Sequence, residues 1–175
     1  MFLSHHDALM SWYDFQGDLR MSTQTSASRG YVAEAGTGAV QARSDALLLI
    51  GRVLLGSIFV ISGYGKLMGL AAFAASLEKN GVPFASALAP VGACVEFFGG
   101  LAIILGLEVR AAALLMIAFV IVATLISHRF WQFEGPARNA QVTQFSKNVA
   151  IIGGFVLLHA AGGGRFAVER LWQRM

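Results

Sequence analysis

Residues 46–62 read ALLLIGRVLLGSIFVIS, an apolar run interrupted by a single charge, Arg52. Three further runs of the same character follow at about 85–107, 111–127 and 149–162. Crossing a hydrocarbon core of about 30 Å takes roughly 20 apolar residues in a helix. Lipid offers no partner to a free amide or carbonyl, so such segments must satisfy their own backbone as helices. The runs lack the polar alternation of a transmembrane β-barrel. The expected fold is therefore all-α, a polytopic membrane four-helix bundle.

Composition agrees. The chain has 175 residues, of which 56% are hydrophobic and 13% charged, and its mean hydropathy is +0.63. A soluble domain carries about 25% charge, and four spans leave no room for a second folded domain. The net charge is +3. Its basic residues gather at helix ends, where they meet lipid head groups rather than nucleic acid. Cys94 is the only cysteine, which excludes an internal disulfide and a cysteine-built metal or dithiol centre. No phosphate loop, zinc spacing or flavin fingerprint occurs. Gly162-Gly163-Gly164 reads as a helix terminator, because no strand precedes it.

Outside the four runs the chain divides simply. Residues 1–44 are rich in Ser, Thr, Gly and Ala. They lack a signal-peptide layout and read as a flexible extension; an alternative translation start is Met21. Neighbouring His5 and His6 cannot face one metal from a helix. Residues 45–165 form the membrane domain and 166–175 a short amphipathic tail. Ser44-Asp45 is the expected cap of the first helix, with Tyr64 and Lys66 at its far interface. Leu70 to Lys79 is too short to span and is expected as an interfacial or re-entrant helix. Pro90 falls near the start of the second run, where a missing amide is tolerated. A tight turn at 106–110 makes the second and third runs an antiparallel hairpin. Residues 134–147 read as a polar loop.

Four spans put both termini on one face, here side A, with the 107–110 turn. Side A carries Arg43, Arg110, Arg165, Arg170 and Arg174, and side B carries Lys66, Lys79, Arg129, Arg138 and Lys147. With the basic residues so balanced, the positive-inside rule does not set the orientation. Nothing exports the 44-residue head, so the termini are expected in the cytoplasm.

Charges inside a bilayer are expensive, at least about 2.5–3.5 kcal/mol each on insertion scales, and mark candidate sites. Arg52 and Glu96 are such charges. Their depths differ by roughly 6 Å at 1.5 Å per residue, which an arginine side chain can cover. Such a pair would hold helices in register, or would supply a proton carrier or ligand anchor; the alternative is a neutral Glu96 with Arg52 at the head groups. The candidate intramembrane polar site comprises Arg52, Glu96, Tyr64, Lys66 and His159, with His159 turned toward Arg52 and Glu96. His128 reads as an interface anchor beside Arg129 and Trp131. His128 and His159 fall at opposite faces, so neither a shared metal nor a haem is expected.

The run Gly51-Arg52 … Gly56 … Phe59 … Ser62-Gly63 … Lys66 resembles the opening helix of the DoxX family of small membrane proteins. Glu96 … Gly99-Gly100 … Leu105-Gly106 … Arg110, then His128 and Trp131, and Phe145 … Lys147-Asn148 … Gly153-Gly154 extend the likeness over about residues 45–165. The resemblance implies four transmembrane helices in a bacterial inner membrane. It also implies a place in a redox complex, because branches of the family are associated with a thiosulfate:quinone oxidoreductase and with a membrane oxidative-stress complex. A quinone among Arg52, Glu96, Tyr64 and the aromatics would need no metal. Three function classes are open: a membrane subunit of a redox complex, a small transporter or lipid-handling protein, and a non-catalytic scaffold. The expected partners are membrane lipids and redox proteins. A second copy joins them in the transporter class, since four helices barely enclose a pathway.

Overall fold

The computed structural model describes residues 40–172; the expectations for the extension, including His5, His6 and the start at Met21, lie outside them. Helix α1 runs Val40–Met68, α2 Leu70–Lys79, α3 Ala85–Leu105 and α4 Val109–Ser127. A 3-10 turn, Phe130–Gln132, leads to α5, Gly135–Ala161, and a last short helix α6, Glu169–Trp172, closes the described chain. The all-α membrane fold read from the sequence is the one found.

Three helices are long and apolar enough to cross a bilayer: Val40–Met68, Ala85–Leu105 and α4 with its continuation, Val109–Gln132. Large apolar side chains point outward, among them Ile61 and Leu157, each 72% exposed. The interior is built instead from Ala, Gly and a few larger groups. Lipid is as apolar as leucine, so helices gain by close packing of small residues. Phe59, Ile103, Met116 and Phe155 fill the centre.

Several boundaries differ from the sequence reading, each for a local reason. Nothing in Val40–Arg43 breaks a helix, so α1 starts before Asp45. Asp45 then cannot cap it; buried, it accepts a hydrogen bond from the Arg165 amide at 3.0 Å. Residues 135–147 are helical rather than a loop. Pro136 sits in the first turn, where its missing amide is harmless, and no breaker follows. Polar sequence here does not mean irregular backbone.

The resulting α5 has 27 residues. Contacts at three levels tie it to α4: His128 Nδ1 lies 3.0 Å from Gln141 Oε1, Asn148 Nδ2 donates to Thr124 Oγ1 at 2.8 Å, and His159 Nδ1 donates to the Arg110 carbonyl at 3.1 Å. Residues 141–159 therefore run antiparallel to 110–128 through the same thickness.

Helix α2 continues α1 across a break at Gly69. The ladder carries over, with Gly69 N to Gly65 O and Phe73 N to Gly69 O both at 3.0 Å. Helix α2 packs along the first half of α3, with the Phe73 ring against Gly92. On side A the segment after α5 passes under the bundle. Val168 and Glu169 amides donate to the Leu105 and Gly106 carbonyls, and Glu169 Oε2 accepts from the Val109 amide at 2.9 Å, capping α4.

Candidate intramembrane polar site

Glycines set the register that builds the site. A Cβ at Gly63 would lie 2.6 Å from the Phe97 amide nitrogen, and one at Gly100 would lie 2.9 Å from the Gly56 carbonyl oxygen. Helices α1 and α3 thus touch backbone to backbone. In this antiparallel register Lys66 comes level with the middle of α3, where Glu96 lies. The sequence alone places Lys66 at the interface. It is instead a mid-depth residue, because the α1 line goes on through Gly69 into α2.

Lys66 Nζ donates to Glu96 Oε2, forming an ion pair. Glu96 is only 4% exposed. The ammonium also lies 5.1 Å from the centre of the Phe73 ring, a cation–π distance. Two charges that would each be costly alone compensate one another, and the ring of α2 covers the cation.

Two cavities flank this pair. A groove of about 400 Å3 lies between α2, α3 and α4, lined by Phe73, Leu77, Leu88, Val91 and Phe119, with Lys66 as its charged group. On the other flank a cleft of about 190 Å3 is lined by Ser62, Lys66, Glu96, His128, Lys147 and Asn148. Phe59 lies in its wall and packs against Phe155, with ring centres 5.5 Å apart and planes tilted by 45°.

Arg52 does not join this site. It is fully buried toward side A, where its guanidinium donates to the carbonyls of Gly163, Ile104 and Phe166. Its Nε has no partner among the described residues. The expected reach to Glu96 fails because three main-chain carbonyls lie nearer, on the opposite side of Arg52. Gly106 makes room for it: in left-handed conformation (φ +78), its missing Cβ would fall 2.6 Å from the guanidinium. Tyr64 is 56% exposed on the outer surface. His159 is held by the Arg110 carbonyl rather than by Arg52 and Glu96. Of the five sequence candidates, the structure brings together Lys66 and Glu96 alone.

It adds four residues that the sequence reading leaves out of the site: Thr124, His128, Lys147 and Asn148. Asn148 carries a usable signal, since it falls three and seven residues before Ile151 and Phe155 and so shares their inward face. His128 is masked in the sequence by its aromatic neighbours, which point to the interface. Among the described residues no three His, Cys, Asp or Glu side chains converge as a metal site would require.

A family model for DoxX matches residues 47–129. The inner membrane protein YphA of Escherichia coli K12 is 32% identical over 124 residues, covering 71% of this chain and 89% of YphA. YqjF, a second inner membrane protein of that organism, is 33% identical over 127 residues, covering 73% of this chain and 92% of YqjF. The chain belongs to the DoxX family. With three apolar spans and inner membrane relatives, it is a multi-pass inner membrane protein. No solved structure matches it. The DoxX match takes in Arg52, both close-packed glycines, Lys66, Glu96 and His128, and stops at Arg129. Arg129 donates to the Asn80 carbonyl and to the Ile126 carbonyl, fastening the end of α2 to the end of α4.

Proposed function

We propose that this DoxX-family chain is the membrane subunit of a redox complex and that the groove beside Lys66 takes a quinone. The observation that supports this is the groove itself: about 400 Å3, largely apolar, with one ammonium group in its wall. Ligand pockets of this kind combine an apolar lining with few polar groups that fix orientation. A quinone presents an apolar ring and tail and two carbonyl acceptors. Lys66 supplies the matching donor, and Glu96 holds that donor in place at mid-depth. Phe73 and Phe119 offer ring faces within the same wall. When bound, the quinone would supply two-electron redox chemistry; the chain's own residues bind, orient and exclude water. Electrons would come from a soluble or membrane partner. The same geometry supports a fourth crossing by α5, since it matches α4 level for level.

The test is native mass spectrometry of the full chain in mild detergent, with and without added short-tail ubiquinone. The expected result is a one-to-one complex that is lost in Lys66→Gln and in Val91→Trp, which fills the groove without touching the ion pair. A chain that binds no quinone, or binds it equally in all three forms, overturns the reading. Protein co-purifying in place of quinone would then favour a scaffold.

A further inference from the structure

We infer that the cleft beside Lys66–Glu96 is a water-filled inlet open to side B alone, which brings water from one face of the membrane to the buried ion pair. The inference does not rest on quinone binding: the two spaces share Lys66, Phe119, Ala123 and Ser127, but Glu96, His128, Lys147 and Asn148 line the cleft and not the groove.

Three observations carry it. First, the polar groups form a descending series. His128 stands with Gln141 at the side-B end of α4, Asn148 donates to Thr124 a turn deeper, and Lys66–Glu96 lies below them. Thr124 donates its own hydroxyl hydrogen to the Val120 carbonyl at 2.6 Å, so its oxygen is fixed as an acceptor for Asn148. Ser127 and His128, at the side-B end of α4, line the same cleft as the pair, which turns its mouth toward side B. Second, the volume suits water. At about 30 Å3 per molecule, some 190 Å3 holds several waters, and the wall offers each of them polar partners. Third, the way onward is shut. Phe59 and Phe155 pack ring against ring across the inner end, and Ile103, Met116 and Val109 beyond them are wholly buried. Past that layer the buried Arg52 guanidinium is tied to the carbonyls of Gly163 and Phe166.

A polar path that ends at an apolar plug admits water to mid-depth without making a pore. Glu96 then keeps contact with bulk water although only 4% of it is exposed. Lys66 and Glu96 offset one another, so Lys147 leaves the inlet with a net positive charge, which suits an anionic probe.

The experiment is cysteine accessibility in the full chain carrying Cys94→Ala. Ser62→Cys, Asn148→Cys and Phe155→Cys are made singly, with Asn139→Cys as the marker of side B. Each is treated with the membrane-impermeant sulfonatoethyl methanethiosulfonate in right-side-out and in inverted vesicles. The expected result is modification of Ser62→Cys and Asn148→Cys at least tenfold faster from the face on which Asn139→Cys reacts, with Phe155→Cys inert from both. Should Asn148→Cys fail to accumulate in the membrane, Ser62→Cys alone decides. Equal labelling from both faces, or none at Ser62→Cys from side B, overturns the inlet. No quinone enters the assay, so its failure is independent of that reading.

Discussion

Lys66 and Glu96 show why a charge in a bilayer must be judged with its partner. Removing one member of a buried pair leaves an uncompensated charge and typically costs about 3–5 kcal/mol, while replacing both by apolar groups of similar volume is often neutral or stabilising. Glu96→Leu alone should therefore lower the melting temperature in detergent sharply, and Lys66→Met with Glu96→Leu should recover most of the loss. A double variant no better than the single one would show that the two side chains are not coupled. Arg52 works differently, since its acceptors are three main-chain carbonyls, one in α3 and two in the segment after α5. Lysine keeps the charge but not the planar fork that reaches several acceptors at once. Arg52→Lys should loosen the segment it holds, read as trypsin cleavage after Arg165 or Arg170 at least several-fold faster than in the parent chain; unchanged cleavage would mean the segment is held without it. Arg52 and Glu96 are both legible in the sequence as functional or structural sites, because their cost in lipid is a property of the residue. Their partners are not. Pairing depends on register, and register depends on where glycine lets α1 and α3 touch.

At the scale of elements, the contacts between helices are decided by which glycines face a neighbour. Gly63 and Gly100 lie where a methyl group would meet main-chain atoms that cannot swing aside, whereas nothing lies within 4 Å of a Cβ at Gly153. Gly63→Ala should cost about 1–3 kcal/mol, the usual penalty for overpacking, and should shift the midpoint of thermal unfolding down accordingly. Gly153→Ala should leave it unchanged or slightly raised, since alanine is the better helix former by about 1 kcal/mol. Equal effects at the two positions would contradict the close approach. The apolar stretches of α1, α3 and α4 are legible because hydropathy and length together mark a span. Two features escape that reading. Helix α5 begins in polar sequence, and polarity alone does not distinguish a loop from a helix. The Gly69 break looks like the end of a span, yet the hydrogen-bond ladder crosses it, so Lys66 lies inside the bundle rather than at its rim.

For the whole molecule, the two ends are built to different specifications. Side A is closed by main chain: the residues after α5 cap α4 through Glu169 and hold Arg52 and Asp45 from below. Side B is fastened by side chains, with Arg129 joining α2 to α4 and His128 facing Gln141 across the α4–α5 connection. This polarity means something only if α5 crosses the membrane as α4 does. Hydropathy leaves that open, because the first half of α5 is polar, but its contacts with α4 at residues 141, 148 and 159 run the full length of an established span. A helix lying on the surface would meet α4 at one end only. Single cysteines at Glu108, Asn139 and Arg170, again with Cys94→Ala, separate the two arrangements. With α5 spanning, an impermeant maleimide added from one face labels Glu108→Cys and Arg170→Cys together and Asn139→Cys only from the other. If Arg170→Cys instead reacts with Asn139→Cys, α5 returns to the side it left, and the residues after it lie on side B. They could not then reach Leu105 and Gly106, and Arg52 would lose the carbonyls of Gly163 and Phe166. The topology of one helix and the burial of one arginine thus stand or fall together.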